Sequence, residues 1–124
     1  KRSLNEDLGS IYSHYSKKGV FLVAVNNDDK VVGSLGAEYI DGDKYRLKRL
    51  SVKRGYRNNG IAKKLLKNVE TWVKNNNGNE LILGTSEIQE EAFKFWTSNG
   101  FNLTNTEFSD IGFKLYSLKK ALKP

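Results

Sequence analysis

The chain has 124 residues, with 21 Lys and Arg against 14 Asp and Glu and a formal charge of +7, which suits one domain with a real core but not two. The absence of cysteine excludes disulfides, thiol nucleophiles and thiolate metal sites. A single histidine, His14, cannot build a metal cluster and reads as a surface or packing residue. No apolar run approaches membrane-spanning length and no secretory pattern is present, so a cytoplasmic or other intracellular domain is expected. Residue 1 is Lys rather than Met, which leaves room for an upstream segment in the parent protein.

Residues 4–16 carry Leu4, Leu8, Ile11, Tyr12 and Tyr15 at helical spacing, which predicts a short amphipathic helix closed near Gly19. Val20–Val25 is a continuous apolar run, expected as a strand buried on both faces. The Asn26-Asn27-Asp28-Asp29 cluster turns the chain into a second strand, Val31–Ile40, softened by Gly33 and Gly36. Asp41-Gly42-Asp43 is a hairpin turn into a third strand, Lys44–Lys53. A helix follows from Ile61, where Ile61, Leu65, Leu66, Val69, Trp72 and Val73 form one apolar stripe, and ends around Asn75–Gly78.

Glu80–Thr85 is a fourth strand, and its position after a helix implies a parallel crossover. Ser86-Glu87-Ile88-Gln89 has the form of a capping box, with Glu87 as a favourable first-turn acid. The helix behind it is expected to turn Ile88, Ala92, Phe95 and Trp96 inward and to stop at Gly100. Phe101–Thr104 and Ile111–Leu118 read as a closing hairpin with an excursion between them. The whole order predicts one α+β domain over residues 1–124. Its sheet is mixed and mostly antiparallel, with one central parallel join and helices on both faces.

The most informative stretch is Leu50–Lys67, LSVKRGYRNNGIAKKLLK. A strand end runs through a basic turn into Asn58-Asn59-Gly60 and then a helix. Glycine there lets the chain approach a ligand closely, and the first helical N–H groups have no intrahelical partner. Free amides at the positive end of the helix dipole attract anions, and Lys63 and Lys64 add charge suited to a pyrophosphate. The cluster Arg46, Lys48, Arg49, Lys53, Arg54, Arg57, Lys63, Lys64 and Lys67 brackets this loop. It is neither a P-loop, since no Gly-Lys-Ser/Thr follows Gly60, nor a GxGxxG fingerprint.

The pattern V-x-x-x-x-R-x-x-G-x-A at Val52, Arg57, Gly60 and Ala62 resembles the acetyl-coenzyme A loop of the GCN5-related N-acetyltransferases. A second pattern, Gln89-x-x-Ala92-x-x-x-Trp96-x-x-x-Gly100-Phe101, is similar to that family's N-x-x-A-x-x-x-Y-x-x-x-G-F and stands in register. The family's first strand is then expected to be missing before Lys1 or to lie outside this chain. Leu47–Val52, Gly60–Lys63 and Leu83–Ser86 with Gln89 resemble the branch that acetylates aspartate and cysteine S-conjugates.

The resemblance implies acetyl-coenzyme A as co-substrate and a small amine, bearing a carboxylate, as acceptor; no metal is implied. It implies a cofactor site of Leu50, Ser51 and Val52, then Arg57, Asn58, Asn59, Gly60, Ile61, Ala62 and Lys63, then Thr85, Gln89 and Trp96. The amide near Val52 would polarise the acetyl carbonyl, the loop amides would hold the pyrophosphate, and the pantetheine arm would lie in the splay beyond Val52 and Thr85. Trp96 stands where the family has a thiolate-protonating tyrosine, and indole has no acidic proton to give; water or Tyr116 is the alternative. Glu38 is the candidate general base, acting through water, beside its reading as a surface carboxylate. Arg49 is expected to share a strand face with Leu47 and Ser51, away from Leu50 and Val52, and either to fork onto a substrate carboxylate or to pair with an acid across the sheet. Two other readings are a basic nucleic-acid-binding module, with Tyr56 between Arg54 and Arg57 stacking on bases, and a catalytically weak fold that only binds coenzyme A or protein.

Overall fold

The computed structural model describes residues 8–16, 18–57 and 60–122. The elements run β1 (Leu8–Ser16), β2 (Gly19–Asn26), β3 (Val31–Asp41), β4 (Lys44–Val52), α1 (Ile61–Asn75), β5 (Glu80–Ser86), α2 (Glu90–Ser98), β6 (Asn102–Phe108) and β7 (Lys114–Ala121). All strands belong to one seven-stranded sheet in the order β1-β2-β3-β4-β5-β7-β6. Among the described residues only the β4–β5 join is parallel, as the sequence order implies.

The stripe on α1 is the centre of the core. Ile61, Leu65, Leu66, Val69 and Val73 are all buried, each contributing roughly 1.5–3 kcal/mol relative to exposure, against Leu22, Ala24, Leu35, Leu47 and Leu81 of the sheet. Gly33 makes the close fit possible. A Cβ on it would meet Ile61 Cγ2 at 2.9 Å and Leu65 Cδ1 at 3.2 Å, so the missing side chain seats the first turn of α1 against β3. At the far end, Tyr45 packs edge-on to Trp72 with centroids 5.7 Å apart. Burial, and secondarily the neighbouring Tyr39, raise the Tyr45 phenol above its ordinary pKa.

The handedness rule decides where the helices go. The β4-α1-β5 and β5-α2-β6 crossovers both advance in the same direction along the sheet, and right-handed crossovers in one direction share a face. Lys120 of β7 sits on that face and touches both: its Nζ reaches Glu70 of α1 at 2.6 Å and the Asn99 carbonyl behind α2 at 2.8 Å. Helices are expected on both faces from the sequence; among the described residues the two helices share one.

Residues 8–16 form a strand where the spacing predicts a helix, and residues 4–7 of that prediction lie outside the described residues. β1 pairs along the whole of β2, from Leu8↔Asn26 to Ser16↔Gly19. The apolar spacing is that of a helix face and splits across the two faces of a strand, but only a strand supplies partners for the outer backbone groups of β2. Tyr15 then reaches the helical layer and stacks with Trp72 at 6.3 Å. The closing hairpin differs too. β6 continues to Phe108 and meets Lys114, so the connection is shorter than expected. Thr106 and Phe108 extend the pairing, a β-prone content that the intervening polar residues mask.

The capping box does not form. Ser86 is buried at the end of β5, and α2 begins at Glu90 with Gln89 at the N-cap and no side-chain cap. One further paired residue on β5, Ser86↔Leu115, wins over the cap. Ile88, expected inward, precedes the helix and is 67% exposed. Glu87 likewise precedes the helix, and its carboxylate accepts the Lys114 backbone N–H.

Candidate functional site

β4 and β5 pair only at Lys44↔Glu80, Tyr45↔Leu81 and Arg46↔Ile82, although β4 runs on to Val52 and β5 to Ser86. Past Arg46 the strands splay, and the backbone groups facing the gap have no strand partner there. β4 also carries a bulge. Ser34 opposes Ser51 and Gly36 opposes Lys48, so Arg49 and Leu50 together stand across from Leu35. Arg49 takes a left-handed φ of 61°, a strained conformation for a residue with a Cβ.

The bulge reverses the strand's alternation. Leu50 and Val52 turn to the side of buried Leu47 and pack against the core, while Lys48, Arg49 and Ser51 are exposed. Arg49 therefore does not share a face with Leu47, as simple alternation predicts; it shares the opposite side with Lys48 and Ser51. One extra residue, invisible to a period-two pattern, moves it.

On the helical side a cleft of about 1040 Å³ opens at the splay. Leu50, Val52, Tyr56, Arg57, Gly60, Ile61, Ala62 and Lys63 form one wall, and Gln89, Ala92, Phe95 and Asn99 form much of the other. α1 starts at this cleft with Gly60 as N-cap at φ 82°, no side-chain cap and no acid in its first turn. No carboxylate of its own first turn competes for the leading amides, which suits a phosphate; Glu90 and Glu91 of α2 also line the cleft. Arg57 turns its Nε to the Val52 carbonyl at 3.1 Å, tying the loop back to β4. Ile61 is 1% exposed, so its backbone, not its side chain, faces a ligand. Asn58 and Asn59 lie outside the described residues.

Three expected cofactor residues do not line the cleft. Ser51 lies on the other side of β4. Thr85 is buried behind the wall and donates its hydroxyl to Gln89 Oε1 at 3.2 Å. Trp96 is 5% exposed and packs edge-on to Phe95 at 5.0 Å and Phe101 at 5.1 Å. It is core, in the hollow that α2 closes against the sheet. Tyr116, the alternative proton donor, packs its ring on Phe93 at 4.8 Å. Sequence reasoning missed Tyr56 as a wall residue. Its signal was its place one residue before Arg57, and its hydroxyl accepts a hydrogen bond from Asn26 at 2.9 Å.

Across β4 from the cleft lies a second hollow of about 360 Å³, lined by His14, Ser16, Lys18, Phe21, Gly36, Glu38, Lys48 and Arg49. Phe21 and Gly36 are cross-strand partners, and a Cβ on Gly36 would meet the Phe21 ring at 3.0 Å. Glu38 is ion-paired with Lys48 at 3.3 Å. Arg49 has no ion pair among the described residues. The structure thus brings the Glu38 and Arg49 of the sequence reading into one groove, and adds His14, which the sequence left as a surface residue. No group of three or more potential metal-ligating side chains occurs among the described residues, and no described helix is long and apolar enough to cross a membrane.

A sheet splayed at its one parallel join, with a bare helix N-terminus beside it, has the form of a cleft for an extended phosphorylated ligand. Residues 3–101 match the acetyltransferase (GNAT) family, and the chain belongs to that family. It is 33% identical over 122 residues to N-acetyltransferase 8B of Homo sapiens, covering 94% of this chain and 54% of that protein. It is 35% identical over 102 residues to N-acetylaspartate synthetase of Xenopus tropicalis, covering 80% and 37%. The chain therefore spans about half or less of these relatives' length. Among solved structures, an acetyltransferase of the GNAT family from Staphylococcus aureus superposes with a TM-score of 0.74 at 33% identity, covering 85% of this chain and 68% of that one. A GNAT family acetyltransferase from Elizabethkingia anophelis with acetyl-CoA bound has the same fold at a TM-score of 0.78 and 18% identity, covering 90% and 97%.

Proposed function

We propose that this domain transfers an acetyl group from acetyl-coenzyme A to the amine of a small molecule that also bears a carboxylate. The uncapped N-terminus of α1 at the splay carries the reading. The amides of Gly60 to Lys63 would hold the pyrophosphate, and the side chains of Leu50 and Val52 would flank the pantetheine arm. When bound, the co-substrate supplies an acetyl thioester. The unpaired β4 backbone beyond the bulge offers an N–H to the carbonyl oxygen as it gains charge.

The acceptor's place in this reading is the groove across β4. Arg49 would fork onto the carboxylate with a charge-assisted hydrogen bond. Glu38 is the candidate base and would take the ammonium proton through water; its ion pair with Lys48 holds the carboxylate in place. The Phe21 and Gly36 floor favours an acceptor with an apolar substituent, such as an S-substituted cysteine. A second carboxylate, as in aspartate, would stand near Glu38. Trp96 takes no part, and the leaving thiolate would receive its proton from water or from the acceptor nitrogen, which has a second proton to lose as the amide forms. An acetyl-transfer screen over S-substituted cysteines, aspartate, polyamines and a lysine-rich peptide tests the assignment. Preference for the polyamine or the peptide overturns it.

A further inference from the structure

Asn26 closes β2 and is 9% exposed. Its Oδ1 accepts the backbone N–H groups of Asp28 at 2.8 Å and Lys30 at 3.0 Å. Two backbone donors require the oxygen end of the carboxamide, so its NH2 end is turned the other way. That end meets the Tyr56 hydroxyl at 2.9 Å. The phenolic oxygen is therefore the acceptor in this bond, and a phenol that accepts still has its own proton to donate. No described group takes that proton. Tyr56 forms part of the cofactor cleft with Arg57, Gly60 and Lys63, and its backbone N–H is anchored on the Lys53 carbonyl at 2.9 Å.

We infer that Tyr56 donates its hydroxyl proton to a phosphate oxygen of the bound cofactor, with Asn26 as the positioning residue that sets the direction of the donation. This rests on the coenzyme A reading of the cleft. The chain of cause starts in a turn: the β2–β3 hairpin needs an acceptor for two of its amides, Asn26 supplies it, and the same side chain then orients a phenol thirty residues away in sequence. A carboxylate in place of Asn26 would satisfy the same two amides but would also accept from Tyr56. It would reverse the bond and draw the proton away from the cleft.

The test is calorimetric titration of coenzyme A and of dephospho-coenzyme A into the wild type, Tyr56→Phe, Asn26→Asp and the double variant, with melting temperatures recorded for each. Tyr56→Phe should weaken coenzyme A about tenfold. Asn26→Asp should weaken it to a similar degree, and clearly less when made on the Tyr56→Phe background. That non-additivity ties the two side chains to one hydrogen bond, and a loss of affinity without a matching fall in melting temperature separates ligand donation from a merely structural role. A loss retained with dephospho-coenzyme A assigns the bond to the pyrophosphate; a loss that disappears assigns it to the 3′-phosphate. Wild-type affinity in Tyr56→Phe overturns the inference, and it decides alone should Asn26→Asp fail to fold. A wild type that binds neither ligand overturns the cofactor reading and this inference with it.

Discussion

The two hollows beside β4 are made of different material. The cleft is largely backbone: the splay, the uncapped turn of α1 and a loop tied back by Arg57. The groove is largely side chain: Arg49, Glu38, Lys48 and His14 over a floor of Phe21 and Gly36. A backbone site tolerates most side-chain changes and fails when the chain cannot approach or the helix moves. A side-chain site fails at single charges. The same strand serves both because its bulge puts the neighbours Lys48 and Arg49 together on the groove side and leaves Leu50 and Val52 on the cleft side.

The largest effect should come from blocking the backbone. Gly60→Glu puts a Cβ at φ 82° and a negative charge beside the phosphate position, so coenzyme A affinity should fall more than about a hundredfold by calorimetry. Next comes the groove. Arg49→Ala should raise the acceptor's KM roughly ten- to a hundredfold, the cost of a lost charge-assisted bond, with the Kd for coenzyme A unchanged. Arg49→Gly should raise KM equally while melting no lower than Arg49→Ala, since φ 61° suits glycine. A change in coenzyme A affinity in either variant would merge the two sites.

A subtler break moves the helix. Gly33→Val brings methyl groups against Ile61 and Leu65 and should cost about 1–3 kcal/mol in chemical denaturation, weakening coenzyme A while leaving the acceptor's KM at saturating cofactor in place. The smallest effect on chemistry is expected from Trp96→Tyr. The change leaves a void among Phe95 and Phe101 and should destabilise by about 1–3 kcal/mol. Because the ring lies in the core, kcat should not rise. A gain in kcat would return this position to the chemistry.

Much of the cleft was legible because its signals are local. Gly60 between a polar turn and the stripe Ile61 to Val73 marks a helix start close to a ligand, and the order of strands and helices implies one parallel join. Where the residues reach past their neighbours, the reading failed. The spacing of Ile11, Tyr12 and Tyr15 is that of a helix face, and the open edge of β2 overrode it. Ser86 and Gln89 match a capping box, but pairing with Leu115 kept Ser86 in the sheet. Arg49 followed a two-residue alternation that the bulge overrode.

By itself the sequence determined the helix stripe, the hairpin turns, the basic turn before the helix and the family pattern, all written within a few residues of one another where backbone propensity and periodicity act directly. Only the tertiary structure decided the strand nature of residues 8–16, the common face of both helices, the side of β4 on which Arg49 stands and the partnership of Asn26 with Tyr56. Those outcomes depend on which backbone groups elsewhere still lack partners and on the handedness of whole crossovers. Neither quantity is carried by any single stretch of the chain.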